Sequence, residues 1–447
     1  MSPPAEFLPP ADVVAYVLAD LAIILAAARL VGGLFVRLGQ PRVVGEIIAG
    51  ILIGPTVLGG TLAAAPSPTA PQGIAGTGLV NEIYPLQAFS FLNLIGQVTL
   101  VLYMFLVGLE LDQRLLRGQG GPVTVMAVAA VGVPIGFGFA TGFYFDDPTW
   151  KPPGVATLPF LLLLGAGLSV TAFPVMARIL QEKDLMRTKM AAVGIGTAAV
   201  VTVLMFLAIA AASAAAARAG VVSGVALRLG LVLALAAFLL LAIRPLLRLW
   251  VDRWEPGKPL GNLLAVMLVG ALVTALATDR ILGVALVGGF LFGVAVPAKE
   301  GLPEAVVERL EDAVVLFFLP VFLAVSGLRT DLRTISLDLV PGLLLFLALM
   351  VVGKWGAGYA AGRAVGLRSN MAHTVGVLLN CRGLLILVVG LIGLQLGLIT
   401  QEMQAVFVIG AVVTTLMTGP LVDVFLRREE VELKARRRSS GVAVIGA

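Results

Sequence analysis

Tyr103-Met-Phe-Leu-Val-Gly-Leu-Glu-Leu-Asp112 closes one apolar run of this chain, and Val321-Phe-Leu-Ala-Val-Ser-Gly-Leu-Arg-Thr-Asp331 closes another in its second half. In both, aliphatic residues pass through a glycine to an aspartate. Each is followed by a helical run, then a run with an irregular polar centre, then a run opened by a Thr-containing turn. The chain therefore reads as two copies of one unit, the first over about 12–213 and the second over about 260–426, with a linker helix at 220–250. An odd number of linker crossings turns the second copy over. The expectation is an inverted repeat whose pseudo-two-fold axis lies in the plane of a membrane.

Composition requires that membrane. Of the 447 residues, 59% are hydrophobic and 13% charged, too little polar surface to cover a soluble core of this size. Runs such as Val13 to Val36, Pro159 to Val175 and Leu384 to Leu398 reach or approach the roughly 20 residues that span a bilayer. The expected spans are 12–38, 42–60, 86–111, 121–145, 156–181, 187–213, 220–250, 260–279, 281–298, 304–328, 337–362, 370–398 and 402–426. This gives an all-α polytopic membrane protein with about thirteen transmembrane helices. A β-barrel would alternate polar and apolar residues instead. The first run lacks a basic leader and continues into a second, so it reads as a helix of the mature protein. Residues 1–427 form one transmembrane domain, and 428–447 a short cytoplasmic tail.

Lys and Arg concentrate in alternate loops and in the stretch Arg427 to Arg438. That asymmetry predicts a multi-pass protein of the cell membrane with its N-terminus outside and its C-terminus in the cytoplasm. The formal charge of +5 is thus a matter of topology, and no nucleic-acid partner is expected. The Pro, Ala and Gly-rich loop from Gly60 to about Asn81 reads as a passive connector. The single cysteine, Cys381, forms no internal disulfide.

Ser169-Val-Thr-Ala-Phe-Pro-Val175 and Leu379-Asn-Cys-Arg-Gly-Leu384 occupy corresponding positions in the two copies. Pro174 removes a helix hydrogen bond and Gly383 loosens the other segment. As a pair they predict two broken helices crossing near the midplane, where freed backbone groups can replace a solute's hydration shell. Folds of this kind carry solutes by alternating access.

These and other stretches resemble the second branch of the monovalent cation:proton antiporter superfamily. They are Leu38-Gly-Gln-Pro-Arg-Val-Val-Gly-Glu-Ile-Ile-Ala-Gly-Ile-Leu-Ile-Gly-Pro55, Phe105-Leu-Val-Gly-Leu-Glu-Leu-Asp112, Ser169-Val-Thr-Ala-Phe-Pro-Val-Met-Ala-Arg-Ile-Leu180 and Asn380-Cys-Arg-Gly-Leu384. The branch includes bacterial sodium/proton antiporters, glutathione-gated potassium efflux systems and plant cation/proton exchangers. The resemblance implies a sodium/proton antiporter-like fold, a core domain sliding against a dimerisation domain, a homodimer, and a monovalent cation and a proton as partners.

One departure stands out. Where the family places Asn-Asp or Asp-Asp, this chain reads Ala198-Ala-Val-Val-Thr-Val203. Coupling in the family is described as cation and proton competing for that carboxylate. Thr202 offers a hydroxyl that can coordinate a cation but carries no proton.

The remaining polar residues divide by position. Lys354, mid-helix in Val352-Gly-Lys-Trp-Gly-Ala-Gly358, costs roughly 2.5–3.5 kcal/mol to insert as an ammonium. It is a candidate proton carrier or anion ligand, with a structural lysine bonded to carbonyls as the alternative. Arg382 is a candidate for an anionic substrate or for holding the crossover together. Thr171 and Asn380 flank the proposed crossing, to coordinate a solute or cap a half-helix.

Asp20 is a buried carboxylate and a candidate partner for Lys354. Glu46 and Glu110 fall near cytoplasmic helix ends. His373, the lone histidine, reads as a solvated cap with pH sensing as the alternative. No catalytic constellation, cofactor motif or metal cluster is present beyond a transported cation. The chain is expected to be no enzyme but a secondary transporter, by antiport of Na+ or K+ against protons. The alternatives are a carrier repurposed for an organic or anionic solute, and a non-transporting homologue acting as sensor, scaffold or membrane enzyme.

Overall fold

The computed structural model describes residues 9–60, 77–109, 120–172, 175–176, 179–180, 183, 185, 188–216, 221–254, 261–297, 299 and 301–439. Glu110, Pro174 and most of the loop from Gly60 to Asn81 lie outside them. The described α-helices of eight residues or more are α1 (Pro10–Arg37), α2 (Arg42–Leu52), α3 (Leu86–Leu109), α4 (Gly120–Ala140), α5 (Thr157–Ser169) and α6 (Lys189–Ala216). Then follow α7 (Val221–Phe238), α8 (Arg244–Val251), α9 (Gly261–Leu282), α10 (Leu286–Ala295), α11 (Leu302–Glu311) and α12 (Leu319–Leu328). The last are α13 (Val340–Val351), α14 (Ala357–Ala364), α15 (Ser369–Leu379), α16 (Gly383–Gln395) and α17 (Gln401–Ser439). Among the described residues, the π-helical stretches Leu239–Ile243, Asp312–Phe318 and Val352–Gly356 join α7 to α8, α11 to α12 and α13 to α14.

Eight of the described helices are long and apolar enough to span a bilayer, or nine with the bent pair α15–α16. This falls short of the expected thirteen by that measure, because apolar length does not guarantee an uninterrupted helix. The apolar helix α5 has 13 residues because it stops at a break, and α10 has 10. In the run through α11 and α12, α11 is charged, with Glu304, Glu308 and Arg309, and α12 has 10 residues. At the other extreme, α17 has 39 residues and passes position 427 unbroken. At 1.5 Å per residue it is about 58 Å long, well beyond a bilayer core, so the expected tail starts as helix.

Local chemistry fixes the turns. After α1, Gly39 takes a φ of +71°, the Gln40 amide donates to Phe35 O at 2.9 Å and the Gly39 amide to Val36 O at 3.0 Å. This is a Schellman ending that a side chain would strain, and Pro41 then sets the start of α2.

Four glycines tie the two halves together. A Cβ on Gly50 of α2 would lie 2.2 Å from Ala324 O of α12, and one on Gly327 of α12 would lie 2.4 Å from Ile47 O of α2. A Cβ on Gly293 of α10 would lie 2.2 Å from Phe105 O of α3, and one on Gly108 of α3 would lie 2.3 Å from Phe290 O of α10. By these contacts Gly50 corresponds to Gly293, and Gly108 to Gly327 in the two stretches that close α3 and α12. Each half thus lends one glycine-rich helix to the other, as an inverted repeat requires. Apolar side chains of α1 and of the π stretch after α7 face outward, Leu30 being 75% and Leu241 77% exposed, as suits contact with lipid.

Candidate functional site

The two breaks meet. Helix α5 ends at Ser169, and Val170 turns to extended backbone with a ψ of 140°. Helix α15 ends at Leu379, α16 begins at Gly383, and their axes bend by 41°. At the crossing the Thr171 hydroxyl donates to Leu379 O at 2.8 Å and the Ala172 amide to Cys381 O at 2.7 Å. Gly383 has a φ of +47°, and a Cβ there would come within 3.1 Å of Ala172 and Val175. Its amide donates to the Thr415 hydroxyl at 3.1 Å. Glycine is required by both the conformation and the close approach.

Breaking a helix orphans carbonyls that lipid cannot satisfy. Here side chains take them up. The Ser169 hydroxyl donates to Ala166 O at 2.9 Å. Arg382, with no exposed surface, donates from Nη1 to Gly167 O at 2.7 Å and from Nη2 to Met350 O at 2.9 Å, with Asn380 Oδ1 at 3.4 Å. One guanidinium therefore links α5, α13 and the break before α16 through its fixed fork of donors.

Lys354 is likewise fully buried, inside the π stretch Val352–Gly356, and its Nζ donates to Ala130 O at 2.8 Å. That carbonyl needs a donor because Pro134, four residues on in α4, has no amide proton. Lys354 fills the gap, and Arg382 lies close enough for its charge to bear on it. Among the described residues, no carboxylate pairs with either cation.

The other sequence-derived candidates are distributed unevenly. Thr171, Asn380 and Arg382 meet at the crossing. Thr202 is buried in α6 but spends its hydroxyl on Ala198 O at 2.8 Å, within its own helix. Asp20 is not the partner of Lys354. Helix α1 packs against α2, α3 and α12, whereas the π stretch that holds Lys354 packs against α4, α5 and α15. Among the described residues, both Asp20 oxygens are buried without a hydrogen-bond partner, and Tyr84 feels the charge of Asp20. Glu46 is buried in α2, with Arg42 and Arg29 as the charges that bear on it. Glu110 lies outside the described residues.

His373 is not a solvated cap. Its ring is stacked between Tyr359 at 4.0 Å and Phe425 at 4.6 Å, and its Nδ1 accepts from Trp355 Nε1 at 3.2 Å. Aromatic residues from separate elements build this sandwich, which no local spacing reveals. The partnership of Lys354 with Ala130 is equally invisible to sequence reasoning, apart from one signal. Pro134 in an apolar helix leaves the carbonyl at 130 without its amide.

Two helices broken at midchain, crossing within an inverted repeat and satisfying each other's backbone, define a membrane carrier of the crossed-helix kind. Residues 23–428 match the family described as sodium/hydrogen exchanger, transmembrane, and the chain belongs to that family. It is 32% identical over 408 residues to the Na(+)/H(+) antiporter NhaS4 of Synechocystis, covering 91% of this chain and 96% of that protein. It is 31% identical to Cation/H(+) antiporter 17 of Arabidopsis thaliana over 90% of this chain, which corresponds to 47% of the plant protein. The K(+)/H(+) antiporter 1 of Saccharomyces cerevisiae is 28% identical over 89% of this chain and 45% of its own length. The chain thus spans about half of the plant and yeast proteins. The sodium proton antiporter MjNhaP1 of Methanocaldococcus jannaschii shares the fold, with a TM-score of 0.61 at 13% identity over 92% of this chain and 98% of that one. The relatives are transporters, not enzymes, and this chain is a multi-pass membrane protein.

Proposed function

We propose that this chain exchanges a monovalent cation, Na+ or K+, for a proton, and that Lys354 carries the proton in place of the missing carboxylate. The observation that carries the reading is the crossing itself, in a chain whose relatives are named as Na(+)/H(+) and K(+)/H(+) antiporters. The ends of α5 and α15 turn their negative dipole ends toward the break, and Thr171 and Asn380 add neutral oxygens there. Among the described residues Lys354 donates one hydrogen bond, to a carbonyl, so its proton is not held by a salt bridge. A metal cation and an ammonium about 4 Å apart repel by on the order of 4 kcal/mol at an effective dielectric near 20. Cation entry therefore favours the neutral amine and expels its proton. Coupling arises from mutual exclusion of like charges rather than from competition for one carboxylate.

In this reading the protein is a homodimer in the cell membrane, with the N-terminus outside and the C-terminus in the cytoplasm. Residues 12–213 and 260–426 form the two repeats, and 220–250 links them. The test is proton flux in proteoliposomes holding a pH gradient, with pulses of sodium, potassium or lithium. Native protein is expected to answer with dequenching of a pH-sensitive dye. Lys354→Ala loses the response, and so does Lys354→Ala combined with Pro134→Ala, in which the new backbone amide restores the helix bond to Ala130. Full exchange by that double variant makes Lys354 purely structural, and silence from folded native protein toward every cation defeats antiport.

A second reading, a carrier for an organic or anionic solute, is favoured by one observation. Lys354 and Arg382 place two buried cations beside each other without a carboxylate among the described residues. The same vesicles, pulsed with small organic anions, separate the two.

A further inference from the structure

Where α3, α12 and α16 meet, a narrow cleft is lined by Asn93, Phe322, Ser326, Arg329 and Leu391. Two hydrogen-bond donors on its wall are unused. The Ser326 hydroxyl, in a residue 4% exposed, and the Arg329 Nε are both buried and, among the described residues, without a partner. The guanidinium of Arg329 rests over the Phe89 ring at 5.4 Å, and among the described residues no carboxylate bears on it. Asp331, two residues on, is engaged by Arg333 at 2.7 Å.

Three backbone acceptors at this end of α12 are already taken. The Thr330 hydroxyl donates to Ser326 O at 3.1 Å, the Arg329 amide to Val325 O at 3.2 Å and the Thr330 amide to Gly327 O at 2.9 Å. Among the described residues, what remains at the cleft is a positive charge, an unpaired N–H and an unpaired O–H, with the Asn93 amide on the same wall and apolar side chains around them. A half-buried cation without a counter-charge favours an anion, and two donors on one wall suit an acceptor that carries negative charge. The charge of Arg329 repels a metal cation there, and a neutral water leaves that charge uncompensated. The narrow apolar wall of Phe322 and Leu391 suits a small, weakly hydrated ion.

We infer that this cleft binds a single halide-class anion, held by Arg329 and Ser326 between α3, α12 and α16. The test uses the full-length protein in detergent, without any gradient, so its result does not depend on whether the protein exchanges cations. Melting temperature is measured in sodium chloride, sodium bromide and sodium gluconate at equal ionic strength, alongside equilibrium binding of radiolabelled chloride. Saturable chloride binding and a higher melting temperature in both halides than in gluconate are expected. Ser326→Ala weakens halide affinity about fivefold, the loss of one hydrogen bond, and Arg329→Gln by at least about tenfold. Ser326→Ala keeps the charge and decides alone if Arg329→Gln does not accumulate. Equal melting of the native protein in halide and gluconate overturns the assignment, as does chloride affinity unchanged by Ser326→Ala.

Discussion

The two broken segments sit in equivalent places and solve the same problem differently. The first, between Ser169 and Val175, contributes neutral groups. It offers the Thr171 hydroxyl to Leu379 O and the Ala172 amide to Cys381 O. The second, between Leu379 and Gly383, contributes a permanent charge whose donors reach back to Gly167 O and across to Met350 O. Duplicated architecture has therefore diverged in chemistry at its centre while keeping its packing at the edges, where Gly50 with Gly327 mirrors Gly293 with Gly108. The backbone of the crossing is common property of both segments. The charge belongs to one.

Replacing Arg382 is the severest way to equalise the two segments. Arg382→Gln leaves at least one of two buried carbonyls unpaired, each worth about 1–3 kcal/mol, and is expected to abolish transport and lower the melting temperature sharply. Arg382→Lys retains the charge but loses the planar fork that spans Gly167 and Met350, so flux in vesicles should stay at least about tenfold below native. Native-like flux in that variant would show that charge alone suffices. Next comes Gly383→Ala, which forces a side chain into a φ of +47° and against Ala172. A cost of about 1–2 kcal/mol is expected, read as a lower thermal midpoint in detergent. The mildest is Thr171→Val, which removes one neutral hydrogen bond and should cost about 1 kcal/mol. A loss from Thr171→Val as large as that from Arg382→Gln would erase the asymmetry between the segments.

Both breaks are legible in the sequence because Pro174, Gly383 and the polar residues between apolar runs are local marks of a helix that cannot continue. The repeat is legible for the same reason, since Gly108 and Gly327 recur in matched surroundings. What stays hidden is who satisfies whom. Arg382 and Gly167 lie 215 positions apart and Lys354 and Ala130 lie 224 apart. No periodicity encodes a bond over such a span. Hydrophobic runs likewise report the thickness of the apolar layer a segment can cross, not the continuity of its hydrogen bonding. The π stretch beside Lys354 and the short α5 therefore emerge only in three dimensions. Asp20 misleads for a related reason, because burial in one face of the bundle says nothing of proximity to a charge in another.

The glycine contacts carry a mechanical consequence. Where α2 meets α12 and α3 meets α10, main chain touches main chain, with no side-chain rotamers between them to absorb displacement. Those four helices are therefore stiff in compression and act as one plate. A load applied at one glycine contact is transmitted across the plate to the other, and parting these helices would mean parting main chain from main chain.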